Sequence, residues 1–456
     1  MNPYVQYMYS YPHKTAYRPL EGISLKDYGE RLAGTGHGLY LHIPFCQTKC
    51  GYCNLFSVTG QGQKEMERYL DGVERQMSQY QEILSPYGTE FSDITIGGGT
   101  PLLLTEGQLE RVFTMLETYF SFSKDREIII ETAPNQTTRE KLTLLKQVGV
   151  TRVSMGIQSF RDEELHTLGR HHCGQKARDA LKLLKSFDFP CINLDFIYGI
   201  PGQTTDSLLN SLQEAITYEP DELFLYPLYV KHGAGLTQKV KDGMVLNPER
   251  ALLQYQEASA FLRSKGFRQD SMRRFSRERT AGKKAALREF SDCGFGTSLA
   301  LGCGGRSYLG NLHFCTPYAV TKKECLMQLK RFEETEDFTV ITHGILLSTE
   351  EEKRRYVIRH LFIYPGLEPK KYEKQFQSPV FADFPLLKEW IQMNWLKWID
   401  VVERTENPMP AVMQREKKTY LAPTEEGLAL SDYLGPQLIS SEIRARMEEW
   451  EVIHGK

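Results

Sequence analysis

The sequence predicts an α/β fold, a partial (β/α)6 TIM-type barrel followed by a helical C-terminal domain, on two observations. Six apolar runs of strand length, 39–45, 92–97, 126–131, 151–157, 190–198 and 222–228, alternate with helical patterns over 64–84, 106–119, 138–147, 175–187 and 206–218. Strands joined one after another through helices run parallel, with right-handed crossovers. From about residue 345 the texture changes to charged helices, 350–362, 386–398 and 425–434. Four segments follow: an arm over 1–36, the barrel over 37–235, a barrel extension with a Gly-rich segment over 236–340, and the helical domain over 341–456.

The chain of 456 residues is 41% hydrophobic, enough for a sizeable core. A net charge of −2 gives no pull toward nucleic acid or an anionic membrane. No cationic N-terminal region precedes an apolar run, and no stretch approaches the ~18 apolar residues of a spanning helix. Nine cysteines, three of them in one motif, suit a reducing cytosol better than a disulfide framework. The expectation is a cytoplasmic monomer with neither a nucleic-acid nor a membrane partner.

Residues 1 to 36 carry Tyr4, Tyr7, Tyr9, Tyr11 and Tyr17 among Pro3, Pro12 and Pro19, with neither helix nor strand periodicity. An extended arm is expected, its aromatics packed on the outside of the main domain or closing over the active site as a lid. Helix starts are marked by the capping boxes Thr105-x-x-Gln108 and Thr137-x-x-Glu140, and one helix stops at Gly149.

The first strand, from Tyr40 through His42 and Ile43, runs into Cys46, Cys50 and Cys53, spaced C-x3-C-x2-C. Three thiolates on one tight loop can hold three irons of a [4Fe–4S] cluster and leave the fourth iron open to a non-protein ligand. A structural zinc site wants four closed ligands, with His42 the local candidate for the fourth. A redox thiol pair would use C-x-x-C and leave Cys46 without a role.

In a barrel, chemistry sits at the carboxyl ends of the strands. The second strand ends in Gly97-Gly98-Gly99-Thr100-Pro101, where glycines let backbone N–H groups converge on a ligand. The third ends at Glu131, a carboxylate costly to bury without a partner such as a hydroxyl or an ammonium group. The fourth ends at Gln158, which donates and accepts, and is followed by Arg170, suited to a two-pronged grip on a carboxylate. The fifth carries Asp195 and Ile197 within Asn193-Leu194-Asp195-Phe196-Ile197-Tyr198-Gly199-Ile200-Pro201-Gly202-Gln203-Thr204.

Tyr40-x-His42-Ile43-Pro44-Phe45-Cys46 with its three-cysteine spacing resembles the radical S-adenosylmethionine (radical SAM) superfamily, in the branch of the oxygen-independent coproporphyrinogen III dehydrogenase and its relatives. The likeness is good from Tyr40 to Tyr229 and weaker beyond. It implies the open cluster on Cys46, Cys50 and Cys53, and SAM held by Gly98, Gly99, Thr100, Glu131, Gln158, Arg170, Asp195 and Ile197. Tyr52 would cover the adenine, and Tyr40 borders the cluster as a catalytic candidate that contacts SAM. The resemblance also implies an electron donor such as flavodoxin or ferredoxin, and a winged-helix-like C-terminal domain. Other members of the branch bind two SAM molecules and transfer a methyl or methylene carbon, so one or two are expected here.

Two departures separate the chain from members of that branch. The dehydrogenases carry an extra cysteine two residues after the third ligand, where this chain has Leu55. The haem-binding relatives carry His-Asn-x-x-Tyr-Trp, and Asn311-Leu312-His313-Phe314 does not match it. Both coproporphyrinogen decarboxylation and haem chaperoning are therefore disfavoured, leaving an enzyme that abstracts hydrogen from an anionic small molecule or peptide. A methyl or methylene transferase, or a cluster- or haem-binding protein without turnover, are the alternatives.

Arg268, Arg273, Arg274, Arg277, Arg279, Lys283, Lys284 and Arg288 form a basic run with only Asp270 and Glu278 as acids. It reads as a solvated face, or, with Arg306, as a clamp for an anionic substrate. Cys293, Cys303, Cys315 and Cys325 are irregularly spaced and read as buried thiols. Trp390, Trp395 and Trp398 fall near helical spacing and read as core.

Overall fold

The computed structural model describes residues 2–8, 10–230, 234–277, 296–404 and 415–454. Its main sheet has the six expected parallel strands at its centre: His37–Ile43, Glu90–Gly98, Ser121–Thr132, Arg152–Gln158, Cys191–Tyr198 and Glu222–Pro227. Each sits beside its neighbour in the chain, with in-line partners such as Tyr40 and Thr95, Glu131 and Ser154, and Gly156 and Asp195. Helices Gln63–Leu84, Glu106–Tyr119, Arg139–Gln147, Gly174–Lys185 and Thr205–Thr217 make the crossovers. Because the strands are parallel, all six carboxyl ends open on one side, and the loops that follow them share one mouth.

The sheet grows beyond six strands. Ser298–Leu301, from the Gly-rich segment, adds in parallel against the first strand, and an antiparallel run of Arg306–Leu309, Leu312–Cys315 and Val340–Leu346 continues it. Arg274–Arg277 and Phe267–Gln269 extend the other edge, and with Arg18–Ser24 beside Val340–Leu346 the described sheet has thirteen strands in an open order.

The local signals mark several boundaries and miss others. Thr105 and Gln108 make the reciprocal capping box. The second box does not form: Thr138 caps that helix by accepting from Lys141 N, while the Thr137 hydroxyl donates to the Ala133 carbonyl. Gly149 ends the helix in the left-handed region, at φ 80°. The third strand starts at Ser121, ahead of its apolar run, because its early residues pair with Glu90 and Phe91.

The N-terminal arm is not merely extended. Arg18–Ser24 is a strand on the sheet edge, paired with Val340–Leu346, and Leu25–Leu32 forms a 3-10 helix. Nor do its aromatics pack on the outside. Tyr11 and Tyr17, 0% and 2% exposed, belong to a second hydrophobic core with Tyr356, Leu361, Trp390 and Leu421. Tyr4 packs edge-on against Tyr198 and Tyr229, and Tyr7 against Tyr226, all near the barrel mouth. Tyr9 lies outside the described residues.

The C-terminal region is helical, with Thr349–Leu361, Pro369–Phe376, Glu425–Ala429 and Ser441–Ile453. The helix expected to reach Trp398 ends at Gln392. Leu396–Arg404 instead pairs antiparallel with Arg415–Pro423, because Leu396 to Val402 is rich in β-branched residues. Trp390 is core, while Trp398, on that ribbon, is 48% exposed. Among the described residues no helix is long and apolar enough to cross a membrane.

Candidate cofactor site

The cysteine loop begins at a sharp exit from the first strand and is pinned on three sides. Gly51 N donates to the Leu168 carbonyl at 2.9 Å, and Leu236 N donates to the Gly51 carbonyl at 2.7 Å. Gly51 is needed there because a Cβ would lie 2.8 Å from the Leu236 side chain and 3.1 Å from the Leu168 carbonyl. Cys46, Cys50 and Cys53 are free and half-buried. Burial raises the Cys46 thiol, and it pushes Cys53 up to about 12, with Cys50 adding to both. Three thiols within electrostatic reach of one another resist ionising together, and a cation among them would reverse that.

The zinc alternative loses its fourth ligand. His42 is 4% exposed with both ring nitrogens engaged: Nε2 with the Phe56 carbonyl at 2.9 Å, Nδ1 with the Tyr40 hydroxyl at 3.0 Å. Burial pushes its pKa down to about 3, so the ring is neutral, donates to Phe56 and accepts from Tyr40. Among the described residues no three His, Cys, Asp or Glu side chains close around a single ion. His42 therefore orients Tyr40.

The Gly-rich turn works differently from its sequence reading. Gly98 N donates to Glu131 Oε2 at 3.0 Å, Gly99 N to the Ile43 carbonyl and Thr100 N to the Phe45 carbonyl, each at 2.8 Å. These amides are consumed in joining the second strand to the cysteine loop, so the turn offers a ligand acceptors rather than donors. A Cβ on Gly98, whose φ is 116°, would lie 2.5 Å from the His42 ring, and one on Gly99 would lie 2.6 Å from the Phe45 carbonyl. The Thr100 hydroxyl faces the Cys46 thiol at 3.8 Å.

Two carboxyls line the strands here: Glu131 next to the end of the third strand and bonded to this turn, and Asp195 three residues from the end of the fifth. Glu131 is raised to about 7, by burial first, with Asp195 adding to it. Asp195 is raised to about 6, again by burial first, although Asn193 Nδ2 donates to its Oδ1 at 2.9 Å. Neither is in an ion pair with a described residue. Gln158 holds φ at 68°, an uncommon conformation for a residue other than glycine, where the fourth strand's pairing shifts register. Arg170 Nη2 donates to the Gly156 carbonyl at 2.6 Å and Nη1 to the Cys50 thiol at 3.1 Å.

Tyr52 is raised well above its ordinary value by burial, with Cys50 adding and Arg170 opposing. Its ring shares an apolar cluster with Leu168, Ile197, Ile200, Tyr226 and Leu228. Cys46, Cys50, Cys53, Gly98, Gly99, Thr100, Glu131, Gln158, Arg170, Asp195, Tyr52, Ile197 and Tyr40 thus all lie on the first five parallel strands or in the segments that follow their carboxyl ends. Sequence reasoning missed His42 and Asn193 as positioning residues. Asn193 stands two positions before Asp195, on the same face of the strand, so its period was a usable signal.

Among its described residues the basic run turns inward at Arg273 and Arg274, while Arg268 is exposed. Arg274 is 9% exposed and pairs with Glu222, which also takes Arg152 Nη2 at 2.8 Å. Arg273 is 7% exposed, pairs with Asp432 and lies over the Tyr7 ring, 3.7 Å from its centroid. Arg268 bonds Asp270 at 2.7 Å, and Arg277 lies over Phe267. Arg306 is buried, donating to the Ser10 hydroxyl. These side chains tie the arm, barrel edge and C-terminal region together because a buried guanidinium needs a partner. The anionic-substrate expectation loses the residues that motivated it. Cys303, Cys315 and Cys325 are buried thiols. Glu278, Arg279, Lys283, Lys284, Arg288 and Cys293 lie outside the described residues.

Residues 40–215 match the family model described as the radical SAM superfamily. The chain is 28% identical to the oxygen-independent coproporphyrinogen III oxidase of Escherichia coli (strain K12) over 396 residues, 83% of this chain and 84% of the relative. It is 32% identical to the heme chaperone HemW of Mycobacterium tuberculosis over 240 residues, 52% of this chain and 61% of that one. The crystallised coproporphyrinogen III oxidase (HemN) of Escherichia coli superposes with a TM-score of 0.77 at 24% identity, over 95% of this chain and 96% of that one. That likeness shows a shared fold.

Proposed function

We propose that the chain, whose residues 40–215 match the radical SAM superfamily model, is an enzyme of that superfamily that cleaves SAM reductively to abstract hydrogen from a substrate. One observation carries the reading. Two partly buried carboxyls with raised pKa, Glu131 on the third strand and Asp195 on the fifth, stand without ion pairs among the described residues, in the barrel whose first strand carries the three-thiol loop and whose mouth has an apolar shelf. Hydroxyl and ammonium donors would satisfy the carboxyls, and an adenine would cover Tyr52 and Ile197. These features fit the [4Fe–4S] cluster and the SAM that the superfamily implies.

Cys46, Cys50 and Cys53 would hold the cluster, which when bound supplies one electron to split the sulfonium carbon–sulfur bond of SAM. The chain's own residues bind, orient and exclude. Arg170 donates to the Cys50 sulfur and would hold it in place as a ligand. The carbonyl acceptors of the turn at Gly98 to Thr100 would suit an ammonium group. Asp195, oriented by Asn193, and Glu131 accept from hydroxyls. His42 holds the Tyr40 hydroxyl on the inner face of the first strand. The arm and the Arg273–Asp432 pair close the mouth at Tyr198 and Tyr226, keeping water from a carbon radical.

Leu55, 52% exposed, stands where the dehydrogenases have their extra cysteine and places no side chain in the loop's interior. This favours a substrate other than coproporphyrinogen. The test is product analysis of anaerobically reconstituted protein with dithionite and labelled SAM. 5′-Deoxyadenosine without S-adenosylhomocysteine is expected. Both products together indicate methyl or methylene transfer, and neither indicates a protein without turnover.

A further inference from the structure

The acceptors proposed above are two carboxyls, and an ionised carboxyl accepts from a hydroxyl far better than a protonated one. We propose that Arg152, placed by Glu222, is the positioning residue of this pocket: its guanidinium supplies the positive charge that keeps Glu131 and Asp195 acting as acceptors toward SAM. The inference rests on the SAM-binding role proposed for those carboxyls and adds the residue that sustains it.

Register is the first argument. Glu131, Ser154 and Asn193 are in-line partners across the third, fourth and fifth strands, and the row continues to Glu222 on the sixth. One step higher stand Gly156 and Asp195, and one step lower Arg152 and Cys191. Residues two apart on a strand share a face, so Arg152 lies under both carboxyls on the face that carries them. Such a step is about 6.6 Å, within the reach of an arginine side chain. Ser154 and Gly156, above Arg152 on its own strand, are too small to screen it.

The second argument is how Arg152 is held. Its Nη2 lies 2.8 Å from Glu222 Oε2, two strands away, and its guanidinium carbon lies 5.7 Å from the centre of the Phe224 ring. The side chain therefore crosses the fifth strand, which carries Asn193 and Asp195. Glu222 also bonds Arg274 through Oε1, and Arg274 reaches on to Asp270 at 3.6 Å. Arg152 differs from Arg274 in being less consumed. Its contact with Glu222 is an ion pair, its Nε is buried without an acceptor, and 15% of its side chain stays open inside the barrel. A guanidinium so placed has charge and donors left for a second group.

The third argument is electrostatic. Burial raises both carboxyls, and Arg152 pulls both back. Glu131 is also lowered by Gly98 N and raised by Asp195. Asp195 is lowered by Asn193 and Arg170 and raised by Glu222. Arg152 loses to burial, but Glu222, Cys191, Asp195 and Tyr226 outweigh that loss, so it stays charged. Two more acids, Asp93 and Glu127, pair in register lower on the second and third strands.

The test is SAM binding by the full chain with its cluster reconstituted, measured by equilibrium dialysis across about pH 5 to 9. In Arg152→Met the rise of affinity with pH should move up by about one unit, which is up to about a tenfold loss on the rising part. Arg152→Gln, a polar neutral variant that guards against misfolding of the first, should do the same. Arg152→Lys keeps a charge and should leave the rise near its wild-type place. A merely structural arginine would instead lower affinity at every pH and leave the rise where it is. That result overturns the assignment, as does wild-type binding in a neutral variant or a Lys variant displaced as far as Met. Absence of SAM binding by the wild type at any pH would overturn the proposed activity and this inference with it.

Discussion

Arg170 donates to the Cys50 thiol at 3.1 Å while its other terminal nitrogen donates to the Gly156 carbonyl at 2.6 Å. One side chain thus joins the cysteine loop of the first strand to the inner face of the fourth. A guanidinium so placed stabilises a thiolate, and a charge-assisted bond of this kind contributes about 1.5–3 kcal/mol. The cysteine loop and the fourth strand are mechanically one unit.

Anaerobic reconstitution should therefore load about four irons per chain. Replacing Cys46, Cys50 or Cys53 singly with Ala should abolish loading. Arg170→Met should load iron but release it faster to a chelator, because the Cys50 thiolate loses its donor. Metal analysis that finds one zinc and no iron would show the loop to be something else.

Asp195→Ala should weaken SAM binding by roughly 1–3 kcal/mol, the cost of leaving buried donors without an acceptor. Iron content should be unchanged, since Asp195 touches no loop thiol. Wild-type affinity in this variant, measured by equilibrium dialysis, would remove Asp195 from the pocket.

The two raised carboxyls set a pH dependence with opposite signs for stability and for binding. Glu131 at about 7 and Asp195 at about 6 hold protons more tightly folded than unfolded. Their contribution to the stability of the ligand-free chain is fully present below the unfolded values near 4 and is lost as pH rises through 6 to 7. SAM hydroxyls prefer the ionised acceptors, so affinity should increase over that same window. The two groups repel and titrate as a pair. Glu131→Gln should flatten the upper part of the affinity profile and make the chain less sensitive to pH in thermal melts. A profile for Glu131→Gln superimposable on the wild type would dismiss the carboxyl as its cause.

Gly98→Ala tests the packing beneath Tyr40. The new Cβ would meet the His42 ring at 2.5 Å in a backbone conformation that L residues rarely adopt. A loss of about 1–3 kcal/mol in unfolding free energy is expected. Displacing His42 should also break its bond to the Tyr40 hydroxyl. An unchanged melt would mean the turn can shift without strain.

Incubation with coproporphyrinogen III should yield no protoporphyrinogen, and haem should not bind tightly at one equivalent. Both expectations rest on Leu55 and on the missing His-Asn-x-x-Tyr-Trp motif. Decarboxylation that keeps pace with SAM cleavage would refute the first, and stoichiometric haem binding the second.

By itself, the sequence determined the parallel six-stranded centre, the three-thiol loop and the strand-end positions of Glu131 and Gln158, while Asp195 falls three residues inside the fifth strand. Strand and helix periods are set by near neighbours, and parallel strands bring their carboxyl ends to one mouth whatever the details of packing. Only the tertiary structure decided which partner each charge takes. Arg273 meets Asp432 159 residues away, and Arg170 reaches Cys50 across 120. Contacts that distant leave no trace in local spacing, so a basic run that looks solvated can be a set of buried ion pairs. The same holds for His42, whose ring is closed by Tyr40 two residues on one side and by Phe56 fourteen on the other. A ligand's valences are filled or left open by folding, because only folding removes the water that would otherwise fill them.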